Sequence, residues 1–180
     1  MAQIVDRMIR AAKLDVTLYD EVERDRGSLG EAMTVVAISS VAAGVGSSLV
    51  GGPIGLIGGT LAALVGWFIW AVLVHFVGTK LMAEPGTQAE LSDVLRVTGY
   101  SAAPGVIRVI AFIPLLGGLI NLAAAVWMLV AMVVAVRQVL KYQSSGKAIA
   151  VCIVGWLIQM VIIGLFAMIG LGGALLVGAG

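Results

Sequence analysis

One histidine, one cysteine and one arginine set deep in an apolar run are the residues of this chain that could do chemistry. Hydrolysis needs a nucleophile and a base within hydrogen-bond reach, and a third group to orient the base. His75 and Cys152 lie in apolar surroundings, and all ten carboxylates fall within residues 1–31 or 79–96. No nucleophile–base–carboxylate set assembles, so no catalytic residues are expected. A single cysteine excludes an intrachain disulfide and a cysteine-cluster metal site, and Cys152 reads as a small packing residue. Asp20, Glu21, Glu23 and Asp25 read as the solvated face of a helix rather than a metal site. His75, five residues before Lys80, reads as an interfacial or hydrogen-bonded residue rather than a proton relay. The expectation is no metal and no cofactor.

The arginine is different. In VTGYSAAPGVIRVIAFIPLL, residues 97–116, Tyr100, Pro104 and Arg108 recur at i, i+4 and i+8, one line on an α-helix. Arg108 precedes Pro114 by six residues, which places it about 9 Å below that end of a helix. Two readings stay open. Its side chain can snorkel outward to headgroups, or it faces the bundle interior and hydrogen-bonds Asn121 or Gln159. An ionisable residue inside a membrane is a functional candidate by default.

Positioning such residues requires a membrane. Of 180 residues, 61% are hydrophobic and 12% charged, against about 25% charged in soluble domains. Lys, Arg, Asp and Glu are absent from runs of 48, 28 and 33 residues at 32–79, 109–136 and 148–180. With about 20 residues per crossing, the first run holds two spans and the others one each. A net charge of +1 leaves no basic excess for nucleic acid.

The spans are expected near 33–50, 54–79, 97–113, 119–136 and 148–169. Turns fall at Gly51-Gly52-Pro53, at Pro114 to Gly118 and at Ser144-Ser145-Gly146. Ser28-Leu29-Gly30-Glu31 is a capping-box pattern for the first span, and Thr87-Gln88-Ala89-Glu90 is a second possible cap. Short turns make consecutive spans antiparallel neighbours. If 97–113 crosses, with a kink near Pro104, ten of the eleven basic residues lie on the N-terminal side, which is cytoplasmic by the positive-inside rule. A re-entrant dip would instead leave Arg137, Lys141 and Lys147 outside. Trp67, Trp70, Trp127 and Trp156 read as packing residues rather than an interfacial belt.

Before the spans, Ile4, Val5, Met8, Ala11 and Ala12 share one helical face and Asp6, Arg7, Arg10 and Lys13 crowd the other. That is the pattern of a short helix lying in the interface plane, attracted to anionic bilayers. The fold class expected is therefore an all-α polytopic membrane bundle, with five transmembrane helices preceded by a short amphipathic interfacial helix. It divides into a cytoplasmic segment 1–31, a membrane domain 32–170 and an apolar glycine-rich tail 171–180. Gly51, Gly55, Gly59 and Ala63, at four-residue spacing, allow close backbone approach, either within one bundle or in a homodimer seam.

Several local motifs occur in a particular order. Gly78-Thr79 closes the second span, Val97-Thr98-Gly99-Tyr100 precedes Pro104, and Ile113-Pro114, Trp127 and Lys147-Ala148 follow. Over about residues 8–170 this order resembles the Yip domain family, named for Ypt-interacting proteins. The lead-in KLDVTLYDEVERDRGSLGEAM is similar to prokaryotic members. The resemblance implies five spans and no established activity for prokaryotic members. Eukaryotic relatives act in vesicle traffic between endoplasmic reticulum and Golgi and bind prenylated Rab-type GTPases. They carry a longer N-terminal region than the 31 or so residues here, so a GTPase partner rests on the resemblance alone.

Two functional classes remain. One is a non-catalytic membrane organiser that recruits protein partners, or further copies of itself, through its cytoplasmic face. The other is a small-solute or ion transporter with a broken third helix lining a polar path. The glycine- and valine-rich composition points to a bacterial cytoplasmic membrane, with the N-terminus inside and the C-terminus outside. In a eukaryote the resemblance implies endoplasmic reticulum or Golgi.

Overall fold

The computed structural model describes the backbone of residues 2–46, 48–113 and 115–178, and the side chains of these except 2, 46, 48–56, 58, 59, 62, 163 and 165–178. Among the described residues the chain is made of helices joined by turns and loops, without strands. The helices are α1 (Ala2–Ala12), α2 (Val16–Arg24), α3 (Leu29–Gly46), α4 (Ser48–Phe76), α5 (Leu91–Tyr100), α6 (Gly117–Val139) and α7 (Ser145–Gly178). A 3₁₀ turn (Arg26–Ser28) leads into α3, a π-helical turn (Val77–Leu81) ends α4, and a longer 3₁₀ segment (Ala103–Ile110) follows α5.

Four stretches are long and apolar enough to cross a membrane: Arg26–Val45, Ala63–Leu81, Gly117–Val139 and Ser145–Ile162. The stretch expected to form the third of five spans is built differently. At Pro104 the missing N–H and the ring forbid a continuous α-helix from Tyr100 onward. The chain tightens to i→i+3 bonds instead, Ala102 N–H donating to Gly99 O at 3.2 Å and Gly105 N–H to Ala102 O at 2.9 Å. This segment runs parallel to α3. Gly99 lies against Ala32, the Ser39 hydroxyl donates to Ala102 O at 2.7 Å, and Gly105 lies beside Ser39.

The turn expected at Gly51-Gly52-Pro53 falls inside α4, which begins at Ser48. Glycine and proline mark turns in water, but in lipid a continuous helix keeps backbone groups paired. The capping box expected at Ser28 is not formed. The Ser28 hydroxyl donates to Val22 O and Asp25 O, and Glu31 is bonded elsewhere. The second cap lies three residues beyond Thr87: α5 starts at Leu91 after Glu90, whose N–H donates to Asp93 Oδ2 at 2.9 Å. Thr87 bonds Leu140 O instead, so the loop is tied to the end of α6.

One core joins the N-terminal helices to the bundle. Leu18, Tyr19 and Val22 of α2 are fully buried in a cluster with Val94 and Val97 of α5 and Val136 and Val139 of α6. Burial of each aliphatic side chain contributes roughly 1.5–3 kcal/mol. The end of α6 is tied to the π-helical turn by the Tyr142 hydroxyl, which donates to Gly78 O at 2.9 Å and Met82 O at 3.0 Å.

Candidate functional site

Polar side chains gather in two places, an ionic clamp at the N-terminal end of the bundle and a cavity among its helices. The clamp starts from Arg7. Its position three residues after Ile4 and four before Ala11 puts it on their helical face, and it is turned inward with them, only 4% exposed. Nε and Nη2 donate to Glu21 Oε1 at 3.1 and 2.9 Å, Nη2 to Asp25 Oδ2 at 2.9 Å, and Nη1 to Glu31 Oε2 at 2.8 Å. Glu21 of α2 and Asp25, its C-cap, stand one helical turn apart and so reach the same guanidinium. The Tyr100 hydroxyl closes the set, donating to Glu31 Oε2 at 2.7 Å. One arginine thus joins α1, α2, α3 and α5.

This corrects the sequence reading of α1. Arg7 does not lie on an outward basic face, and Arg10 is also engaged, with Asp15 at 2.8 Å and Glu21 at 2.7 Å. Outward α1 shows Val5 and Ile9, about half exposed. Trp127, also nearly half exposed, donates its Nε1–H to Ala12 O at 2.8 Å and so caps the last turn of α1 from the side of α6. Trp127 and Trp156 are exposed, whereas the packing expected of all four tryptophans holds for the partly buried Trp67 and Trp70.

The carboxylates respond to these contacts. The Thr17 hydroxyl and then the Arg10 guanidinium hold the Asp15 carboxyl down at about 2. Arg10 and Arg7 lower Glu21, and Arg7 lowers Asp25. For Arg7, burial opposes the charged form, but hydrogen bonds to Asp25, Glu21 and Glu31 outweigh it and raise its pKa. A carboxylate with a depressed folded pKa contributes stability that is complete above its unfolded value, about 4. That contribution is lost as pH falls through the folded value. Acidification from about pH 4.5 to 2 is therefore expected to release α1 and α2 before the bundle. Hydrogen exchange of residues 2–25 measures this, and protection unchanged at pH 2.5 would contradict it.

The cavity has a volume of about 500 Å³ and lies among α3, α4, the α5–3₁₀ segment, α6 and α7. Its polar lining is Ser39, Ser40, Thr98, Ser101, Arg108 and Gln159; Trp67, Trp70, Met128 and Met132 form much of its apolar wall. The hydroxyl protons are already engaged with backbone: Ser39 with Ala102 O, Ser40 with Val36 O, Thr98 with Val94 O and Ser101 with Thr98 O. Thr98 also accepts from Trp67 Nε1–H at 3.2 Å. Arg108 Nε is buried without a hydrogen-bond partner.

The positions singled out in the sequence separate here. Arg108 and Gln159 line one cavity, on different elements. Tyr100 belongs to the clamp, and Pro104 lies in a shallow apolar groove beneath α1 with Met8, Ile107 and Trp127. The i, i+4, i+8 line is lost because the backbone changes period. Four residues at about 120° each turn Arg108 by about 120° from Pro104, where an α-helix would leave it at about 40°. Asn121 is exposed on α6 and away from the cavity lining. His75 Nε2 is 3.1 Å from Ala89 O, which fastens the loop before α5. Ala63 lines the cavity; Gly51, Gly55 and Gly59 fall on α4, but their packing lies outside what is described, as do the side chains of the tail. Among the described residues no group of acidic, histidine and cysteine side chains is arranged to hold a metal.

The clamp was missed because Arg7 was assigned to the charged face, although its spacing from Ile4 and Ala11 shows the face it occupies. The cavity hydroxyls had a weaker signal, a Ser39-Ser40 pair within an apolar run and Thr98 and Ser101 three residues apart. No curated protein and no solved structure matches the chain. The model of the Yip1 domain matches residues 17–175, everything from the start of α2 almost to the end of α7. That stretch contains the cavity, all four apolar spans and every partner of Arg7. The chain is an integral membrane protein and belongs to the Yip1 domain family.

Proposed function

We propose that this protein is a non-catalytic membrane organiser that crosses the bilayer five times and recruits protein partners through a cytoplasmic layer made of α1, α2 and the loop before α5. The observation that carries this reading is the distribution of charge in that layer. Eight of the ten carboxylates are in ion pairs: Asp15, Asp20, Glu21, Glu23, Asp25, Glu31, Glu84 and Asp93. Lys13, Arg24, Arg26, Lys80 and Arg137 have no ion-pair partner among the described residues, and all five are exposed. The acidic groups hold the layer rigid, and the charge left for a partner is positive.

Five crossings are supported by length and by direction. Ten α-helical and eight 3₁₀ residues span roughly 31 Å, about the thickness of a bilayer core. The segment also packs parallel to α3, as the third of five spans must. Leu115, fully exposed after the 3₁₀ segment, distinguishes the topologies. In a Cys152→Ala background, a cysteine at Leu115 is expected to label from the side opposite to one at Gln88, which is exposed in the loop before α5. Labelling of both from the same side would rule out five spans. For the function, proteoliposomes are expected to show no flux of a panel of ions and metabolites above protein-free vesicles. A photo-crosslinker at Arg24 or Lys80 in native membranes is expected to give a discrete protein adduct that Arg26→Glu weakens. Flux above the control would favour the transporter reading instead.

A further inference from the structure

The charge of Arg108 has no counterpart among the described residues. All ten carboxylates lie within residues 1–31 or 79–96, and eight of them are paired elsewhere. Arg108 comes after these segments, on the 3₁₀ segment, and forms no hydrogen bond or ion pair among the described residues. An unpaired cation inside a bilayer is costly, so such residues are retained where they meet a partner or face a cavity. The cavity it lines is about 500 Å³, within the size range of ligand sites of roughly 300–1,000 Å³.

The lining selects for charge and polarity. The hydroxyls of Ser39, Ser40, Thr98 and Ser101 have their protons committed to backbone carbonyls, so toward a ligand they offer oxygen lone pairs. The free donors are the guanidinium of Arg108 and the amide of Gln159, which approach from different elements. A planar fork of N–H groups fits the oxygens of a phosphate. The walls of Trp67, Trp70, Met128 and Met132 suit an apolar body. The ligand that fits has an anionic oxygen group at one end, hydroxyl or ammonium donors near it, and hydrocarbon attached.

We propose that the Arg108 cavity is a binding site for a phosphate group, held by Arg108 and Gln159. It stands on a different observation from the organiser reading and requires no transport. The phosphate has two possible sources, an anionic phospholipid headgroup entering from the bilayer or free inorganic phosphate. The full-length protein in detergent is tested by native mass spectrometry with phosphatidylglycerol and with phosphatidylcholine of the same chains, and by thermal melting with inorganic phosphate.

Two variants accompany the wild type. Arg108→Gln removes the charge while keeping a long polar side chain, and its melting without ligand reports whether it folds. Ser40→Leu fills the cavity and leaves Arg108 intact. The expected result is retention of phosphatidylglycerol at least tenfold above phosphatidylcholine (by about 1.4 kcal/mol per factor of ten), abolished in both variants. A melting shift with inorganic phosphate that is abolished in both variants, without lipid retention, would assign the site to the free anion. An anion effect that survives both substitutions, or the absence of both effects in the wild type, would overturn the proposal.

Discussion

Arg7→Met is expected to detach α1 and to lower the unfolding free energy by about 3 kcal/mol. Breaking a buried ion pair from one side costs about 3–5 kcal/mol, because the partners lose their counter-charge. Here Glu21, Asp25 and Glu31 keep 33–42% of their side-chain surface exposed, and water screens the unpaired carboxylates. The lower end of the range therefore applies. Arg7→Lys is expected to recover only part of the loss, since an ammonium cannot reproduce a planar fork shared among three carboxylates. Equilibrium unfolding in bicelles gives the energy, and hydrogen exchange across residues 2–12 shows whether α1 is the part released. A cost below about 1 kcal/mol would place the clamp with ordinary surface pairs.

Gly99→Leu is expected to be equally damaging for the opposite reason. A Cβ at residue 99 would lie 2.8 Å from Ala32 Cβ and 3.1 Å from Ala32 O. The obstruction includes the backbone of α3, so no flexible side chain can move aside. Overpacking of this kind costs about 1–3 kcal/mol, and a leucine at so close a crossing belongs at the upper end. Because α3 and the α5–3₁₀ segment separate, the change should also expose the cavity to solvent. The measurement is unfolding in bicelles, together with labelling of a cysteine placed at Ser39. If Gly99→Leu unfolds like wild type and leaves that cysteine unreactive, the close approach of these two elements is not needed for stability.

Four of the spans were legible because lipid imposes a simple rule: long runs without charge must be helical and must cross. The fifth stretch was legible only as far as Pro104. Proline announces a break in an α-helix, but the missing N–H does not say whether the chain then turns, bulges or tightens to 3₁₀, and that choice set the direction of Arg108. The pairing of Arg108 with Asn121 failed for this reason, whereas Gln159, on the unbroken α7, came to the same cavity. Arg7 was misplaced for a different reason. On an eleven-residue helix the polar and apolar arcs overlap at their edges, and which arc claims an arginine depends on the carboxylates opposite. Those stand on α2 and α3, 14 to 24 residues away. Helix propensity cannot reveal a partner that only tertiary packing brings near.

The contacts between α2 and the end of α6 have a consequence for how the protein is made. Asp20 accepts from Gln138 and Lys141, and Glu23 from Lys141, across 118 to 121 residues of chain. At synthesis rates of about 5–20 residues per second, the acidic side of α2 remains without these partners for roughly 6–24 s after it leaves the ribosome. Through that interval its charges stay in water on one side of the bilayer. Only when α6 has been inserted, with its basic end returned to that side, can α2 complete its contacts. α2 thus registers that α6 has arrived with its basic end on the same side of the membrane.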